Sequence, residues 1–225
     1  MTWNEIRLKT LQLMFSNETA ELTVDDGNEE YLNAMPGVAN DALSMVTQFL
    51  PLRKRFVIEI SAAAEPPEEP PEEPPEEPGR LTLPPDASAP YRIDLRALCP
   101  DFRALDAEEI YLDRDGWHGV MTEYSVENDS VLVLDGSREE TVTVYYRAYP
   151  ALITSATEGD TELGVAREAA EIIPLYMAGE LYKDDDLSMA VQYRNEFEDA
   201  LGKLRQTAQR RPRGSAAYRN TTGWW

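Results

Sequence analysis

Apolar positions recur at helical spacing at both ends of the chain and at strand spacing in the middle. Thr2-Trp3-Asn4-Glu5 has the form of a capping box, in which Thr2 caps the helix and Glu5 reaches back. Ile6, Leu8, Leu11, Met14 and Phe15 follow, which predicts a helix over about 3–16. Asp25-Asp26-Gly27-Asn28 punctuates the chain. A second helix is predicted over about 29–49, with Val38, Ala42, Met45, Val46, Phe49 and Leu50 as its buried stripe. Pro36-Gly37 is a break signal that can set off the part up to Met35 as a separate turn, and Pro51 stops the helix.

From Arg55 the period drops to two. Phe56, Ile58 and Ile60 share one face, with Glu59 and Ser61 on the other. Leu81-Thr82-Leu83 reads as the return partner of this strand. Tyr91, Ile93 and Leu95 alternate with Arg92 and Asp94, and Ile110 and Leu112 alternate within 108–113. Asp115-Gly116 is a hairpin signal leading into a strand over 119–126. Strands over 130–134 and 141–149 follow, joined through Asp135-Gly136. About seven short strands with turn signals between them predict a β-sandwich.

After Pro150 the helical period returns, with Leu163, Ala166, Ala170, Ile173, Met177 and Leu181 on one face. Pro174 lies inside this pattern and should kink or divide the helix. Asp184-Asp185-Asp186 suits the N-terminus of a last helix, lined by Leu187, Ala190, Phe197, Leu201 and Leu204 and running to about 207. The expected fold class is α+β. N- and C-terminal helices form one bundle, an antiparallel β-sandwich is inserted between them, and an extended C-terminal tail follows. The expected parts are bundle helices over 1–52, a sandwich over 53–158, bundle helices over 159–207 and a tail over 208–225.

Composition changes this picture in two places. Residues 65–79 hold seven Glu and seven Pro, a Glu-Pro-Pro-Glu repeat. Proline fixes φ and removes donors, so the expectation is a stiff, solvated polyproline II insertion within the sandwich. A functional reading makes it an acidic whisker that repels neighbours or contacts a basic partner. Residues 203–225 hold six Lys and Arg and no acid, so they carry +6. The whole chain carries −21, which leaves −27 on the rest. A basic arm on an acidic body marks an interaction tail. Its aromatic residues, Tyr218, Trp224 and Trp225, add sticky, area-rich anchors. A loose fold of the arm against its own acidic body is the plain alternative.

Function classes narrow accordingly. An acidic body disfavours nonspecific duplex DNA binding and docking on anionic membranes. The single cysteine, Cys99, excludes an intramolecular disulfide and a Cys-based zinc site, and the single histidine, His118, excludes a multi-histidine metal centre. No apolar run is long enough for a transmembrane helix, and Met1-Thr2-Trp3-Asn4-Glu5 lacks the features of a signal peptide, so cytoplasmic synthesis is expected. There is no Gly-rich phosphate loop and no Gly-x-Ser-x-Gly elbow. His118 reads as an exposed strand-end residue and Cys99 as a small buried hydrophobe. Asp113-Arg114-Asp115-Gly116 starts like a calcium loop, but its twelfth position is Tyr124 rather than Glu. No enzyme activity, cofactor or metal is expected.

Two stretches carry a resemblance. Ile172 to Leu201 combines an apolar helix with an internal proline, Tyr182-Lys183-Asp184-Asp185-Asp186, and a helix containing Tyr193-Arg194-Asn195-Glu196-Phe197-Glu198. Residues 32–43, from Leu32-Asn33-Ala34-Met35-Pro36-Gly37 to Leu43, lead to Pro51-Leu52-Arg53-Lys54 and a strand. Together they resemble the head–tail connector (adaptor, neck) proteins of tailed bacteriophages, over about half the chain. The Pro/Glu repeat departs from that pattern.

The resemblance implies a virion structural protein made in the host cytoplasm. It implies a ring, dodecameric as a rule, beneath the portal at the head–tail interface, with tail or neck proteins below. It further implies a homo-oligomer whose C-terminal extension docks on the portal protein. The docking residues would be Arg205, Arg210, Arg211, Arg213, Tyr218, Arg219, Trp224 and Trp225, arginines on acidic surface and aromatics in pockets. Genomic DNA would pass through the ring without sequence-specific binding, which an acidic lumen favours. The alternatives are another neck or tail-completion protein, an acidic DNA mimic, and a sandwich-type binder, of carbohydrate for instance, using Trp117 and Tyr111.

Overall fold

The computed structural model describes residues 1–15, 22, 27–61, 79–86 and 89–210. The Glu-Pro-Pro-Glu insertion up to residue 78, the Asp25-Asp26 pair and residues 211–225 lie outside the described residues. The chain divides into two units. Residues 1–52 and 150–225 form a helical unit, and residues 53–149 form a β unit. N- and C-terminal helices thus flank a mainly antiparallel β-sheet region, an α+β arrangement.

In the helical unit, α1 (Trp3–Phe15) starts at the predicted capping box. The Thr2 amide donates to Glu5 Oε2 at 2.9 Å, and the Glu5 amide donates to Thr2 Oγ1 at 3.3 Å. The second helix, α2 (Glu29–Phe49), runs through Pro36 without a break, against the expectation of a separate turn before it. Proline costs one backbone hydrogen bond and strains the preceding turn. Here burial offsets that cost, because Met35, Ala39, Ala42, Leu43 and Val46 are all sealed in the core.

After the β unit, the chain stays irregular up to α4 (Arg167–Ala170). Leu163 and Ala166 therefore precede α4 and lie outside a helix, contrary to the helical reading. Gly164 has φ +64°, outside the helical region. α5 (Ile173–Leu181) carries Pro174 in its first turn, so the proline divides the predicted helix. α6 (Leu187–Arg210) begins at Asp186, whose Oδ1 accepts from the Ser188 and Met189 amides at 2.9 and 3.1 Å.

The helical core joins Trp3, Ile6, Met35, Leu43, Ile173 and Phe197. The Tyr176 and Phe197 rings meet edge-on at 5.1 Å. Where α5 crosses α6, Gly179 lets the backbones close up. A Cβ there would lie 3.2 Å from the Arg194 amide nitrogen and 3.3 Å from the Ala190 carbonyl oxygen.

The β unit contains β1 (Leu52–Ile60), β2 (Arg80–Leu83) and β3 (Tyr91–Asp94), then a one-turn α3 (Leu95–Leu98). It continues with β4 (Phe102–Arg114), β5 (Trp117–Val120), β6 (Tyr124–Glu127), β7 (Val131–Leu134) and β8 (Glu140–Ala148). One sheet has the order β2-β1-β8-β4-β5, and the other β3-β7-β6. Phe56, Ile58, Ile60, Ile110, Leu112, Val142 and Val144 line the buried side of the larger sheet, and Ile93, Leu132 and Leu134 that of the smaller.

Three strand readings are corrected. β2 pairs with β1 in parallel, Val57 opposite Arg80, and is no hairpin return. A parallel crossover needs about a dozen residues or more, and the insertion between Ile60 and Arg80 supplies that length. The strand expected over 119–126 is two strands in different sheets. Met121 is buried, its amide donates to the Ile110 carbonyl at 2.8 Å, and the chain turns there from one sheet to the other. Leu95 belongs to α3, started by Asp94, which accepts from the Arg96 amide. Asp135-Gly136 joins β7 to β8 as read, and the two strands lie in different sheets.

The Asp115-Gly116 hairpin forms as read. Both residues have positive φ, 51° and 77°, as a two-residue turn between twisted strands requires. A second left-handed pair, Asn128 (φ 50°) and Asp129 (φ 60°), turns β6 into β7.

Candidate docking surfaces

The basic arm grows out of α6. That helix starts behind three aspartates and ends among Lys203, Arg205 and Arg210, so charge opposes the helix dipole at both ends. Arg194 fixes it to α5. Its Nη1 donates to Glu180 at 2.7 Å, its Nε to Glu198 at 3.3 Å, and its guanidinium lies 4.9 Å from the Tyr176 ring centre. The N-terminal end is tied to α2, since the Tyr31 hydroxyl donates to Asp185. That hydrogen bond to a carboxylate, with some desolvation, pushes the Tyr31 pKa up to about 12.

Of the eight residues assigned to docking, Arg205 is fully described. It is exposed on α6 and stacks over the Phe49 ring, 5.5 Å from its centre. Arg210 ends α6, with its side chain outside the description. Arg211, Arg213, Tyr218, Arg219, Trp224 and Trp225 lie outside the described residues. What the structure adds is the root of the arm, a helix held on α5 and leaning on α2.

The remaining chemistry-bearing residues sit as follows. His118 is exposed, stacks on Tyr111 at 5.7 Å and faces Asp113 at 3.5 Å. Cys99 is buried, and burial pushes its thiol pKa up, away from the reactive thiolate. Among the described residues, no three His, Cys, Asp or Glu side chains converge to hold a metal ion, and no helix is long and apolar enough to cross a membrane.

Trp117 and Tyr111 do not form one binding face. Trp117 stands opposite Arg114, and Tyr111 opposite Val120, in an antiparallel register that places them on opposite sides of the sheet. The two-residue turn at Asp115-Gly116 already implies this register.

On the outer side, Tyr111 meets Tyr145 edge-on, and Arg53 lies over Tyr145 while binding Asp106 and Glu109. On the Trp117 side, Glu140 is almost wholly buried. Its carboxylate binds Arg114 Nη2 at 3.0 Å, and burial raises its pKa despite that cation. Beside this pair, an open groove of about 450 Å³ runs along the end of the β4–β5 hairpin.

Sequence reading missed three such features. Asn40 clamps the segment after the sandwich to α2. Its amide donates to the Ile153 carbonyl at 2.8 Å, and its oxygen accepts from the Ile153 amide at 2.9 Å. The Tyr31–Asp185 and Arg114–Glu140 pairs are also distant in sequence, and no local pattern announces any of the three.

The family described as SU10 adaptor protein matches the chain over residues 75–220, which takes in most of the β unit, α4 to α6 and most of the basic arm. No curated protein matches the chain.

Proposed function

The chain belongs to the SU10 adaptor protein family, and so is a phage head–tail adaptor or neck protein, structural rather than catalytic; from that premise we propose how it is built into the virion. Copies of the chain form a ring, dodecameric as a rule for such adaptors, at the head–tail interface. The ring sits beneath the portal protein, above further neck or tail proteins, and lines part of the DNA channel. The helices over 1–52 and 159–207 build the ring, and the sandwich over 53–158 is carried on it. Residues 208–225, together with Arg205 on α6, dock on the portal, through Arg205, Arg210, Arg211, Arg213, Tyr218, Arg219, Trp224 and Trp225.

One observation carries this reading. The family match extends through α6 into an arm that changes from the acidic charge of the body to pure positive charge and ends in two tryptophans. Arginines give bidentate contacts to carboxylates, and large aromatics supply most of the energy of small interfaces. An acidic channel surface repels the DNA backbone, so the genome passes without being gripped.

Single-particle imaging of virions or isolated necks tests the placement. Ring density under the portal with residues 208–225 running into portal clefts is the expected result. Absence of the chain from virions overturns it and favours an acidic DNA mimic. Deletion of 208–225 should abolish co-purification with portal, and persistence of portal binding after that deletion would refute the docking role.

A further inference from the structure

The outward side of the larger sheet carries Val57 on β1, Thr143 and Tyr145 on β8, Tyr111 on β4 and Val120 on β5, each alternating with a core-facing neighbour. The two tyrosine rings meet edge-on at 5.9 Å, and Val120 is 48% exposed. The connection from β1 to β2 has to cross one side of this sheet, because the two strands are parallel neighbours. The inward side is closed to it, since Phe56, Ile58 and Ile60 are sealed in the core there. Backbone chirality points the same way. The Val57 amide donates to the Gly79 carbonyl at 2.7 Å, and the Ser61 amide to the Leu83 carbonyl at 3.1 Å. Amides of outward-facing residues on β1 thus point at β2. For L-residues this sets β2 to the right of β1, seen from outside with β1 running upward. A right-handed crossover, the strongly preferred hand, then passes in front of the outward side.

Length and chemistry suit residues 62–78 to that face. The crossover needs to span about 11 Å, three residues back and one strand across. Seventeen residues of polyproline II reach about 50 Å, so most of the insertion is surplus to the connection. Its paired prolines match the tyrosines, as polyproline segments match aromatic-lined surfaces elsewhere. Four arginines face outward on β1, β2 and β8. Arg53 and Arg147 are held by Asp106 and Glu109, and Arg80 by Glu59. Arg55 is exposed and makes no ion pair among the described residues. The chain re-enters the sheet against this residue: a Cβ on Gly79 would lie 3.1 Å from the Arg55 carbonyl oxygen, and Glu77 is two residues earlier.

We propose that residues 62–78 lie over the outward side of the larger sheet of their own chain, with prolines on Tyr145 and Tyr111 and Glu76 or Glu77 on Arg55. The covalent tie at both ends selects this occupant, because it holds the insertion beside the face at high effective concentration. The face is thereby withdrawn from contacts with other proteins. The assignment stands whether or not the chain forms a ring.

The test uses the full chain with Thr143 replaced by the photo-crosslinker p-benzoylphenylalanine, mixed with isotope-labelled chain lacking it. Tandem mass spectrometry locates the crosslinks. The expected result is crosslinks from position 143 to residues 62–78 of the same chain. The same crosslinker at Arg92, exposed on the smaller sheet, should give none. Arg55→Gln should lower the yield from position 143 about two- to fivefold, as for loss of an exposed ion pair. A second measurement needs no crosslinker: cleavage by a glutamate-specific protease at 68–69, 72–73 and 76–77 should be faster in Arg55→Gln than in the unaltered chain, by a similar factor. Absence of crosslinks to 62–78, crosslinks that join two chains, equal yields from positions 143 and 92, or cleavage rates unmoved by Arg55→Gln overturn the proposal.

Discussion

Glu140 and Arg114 offer the sharpest quantitative test of the β unit. The Glu140 side chain is 3% exposed, and the guanidinium at 3.0 Å is its ion-pair partner. Burial dominates its environment and already raises its pKa with the cation in place. Arg114→Met keeps most of the aliphatic stem and removes the charge. An unpaired buried carboxylate costs about 3–5 kcal/mol. Arg114 Nε has no hydrogen-bond partner, so losing that orphan donor returns part of the cost. The net expectation near neutral pH is a loss of about 2–4 kcal/mol.

The sign of the pH dependence follows from linkage. A carboxyl whose folded pKa is raised is penalised when ionised, above its folded pKa. The penalty disappears as pH falls toward its unfolded pKa, where both states are protonated. Without Arg114 the folded pKa rises further, so Arg114→Met should regain stability as pH is lowered from about 7.5 to about 5, at up to ~1.4 kcal/mol per pH unit. Glu140→Gln in the same background should restore most of the loss at all pH values. Urea unfolding followed by far-UV circular dichroism across this range is the assay. A loss below about 1 kcal/mol, or one equal at both pH values, would refute the account of a buried, charge-compensated carboxylate.

Other consequences can be checked in the same way. Gly179→Ala gains about 1 kcal/mol of helix propensity but presses a methyl on the α6 backbone, so calorimetry should show a net loss of about 0–2 kcal/mol, and Gly179→Val more. A clear gain for Gly179→Ala would show that α5 and α6 do not cross closely. Asn40→Ala leaves the Ile153 amide and carbonyl unpaired, costing about 1–3 kcal/mol, and hydrogen exchange at the Ile153 amide should accelerate. Phe197→Ala, at a fully buried site facing Tyr176, should lose about 3–5 kcal/mol in urea unfolding.

These sites also show how an adaptor divides its labour. The helical unit roots the basic arm through contacts of α6 with α5 and α2, made by Arg194, Asp185 and Arg205. The β unit holds its buried carboxylate, Glu140, in an ion pair with Arg114 and leaves Trp117 exposed at one end. Neither unit, among its described residues, brings together a metal-binding cluster.

What the amino-acid sequence determined by itself was local. The switch of apolar period marked helices against strands, because each residue's face follows from 3.6- or 2-residue geometry. The Thr2–Glu5 box, the Asp186 cap, Pro174 at a helix start and the Asp115-Gly116 turn act within four residues, so their partners are already in the string. The adaptor resemblance drew on the same local patterns.

What only the tertiary structure decided was long-range. The parallel direction of β2, the change of sheet near Met121 and the unbroken passage of α2 through Pro36 each depend on neighbours distant in sequence. So do the Arg114–Glu140 pair and the Asn40 clamp. Burial by those neighbours outweighs local preference: a proline survives inside a helix whose core-facing residues are sealed, and a carboxylate survives in the interior where folding supplies its cation.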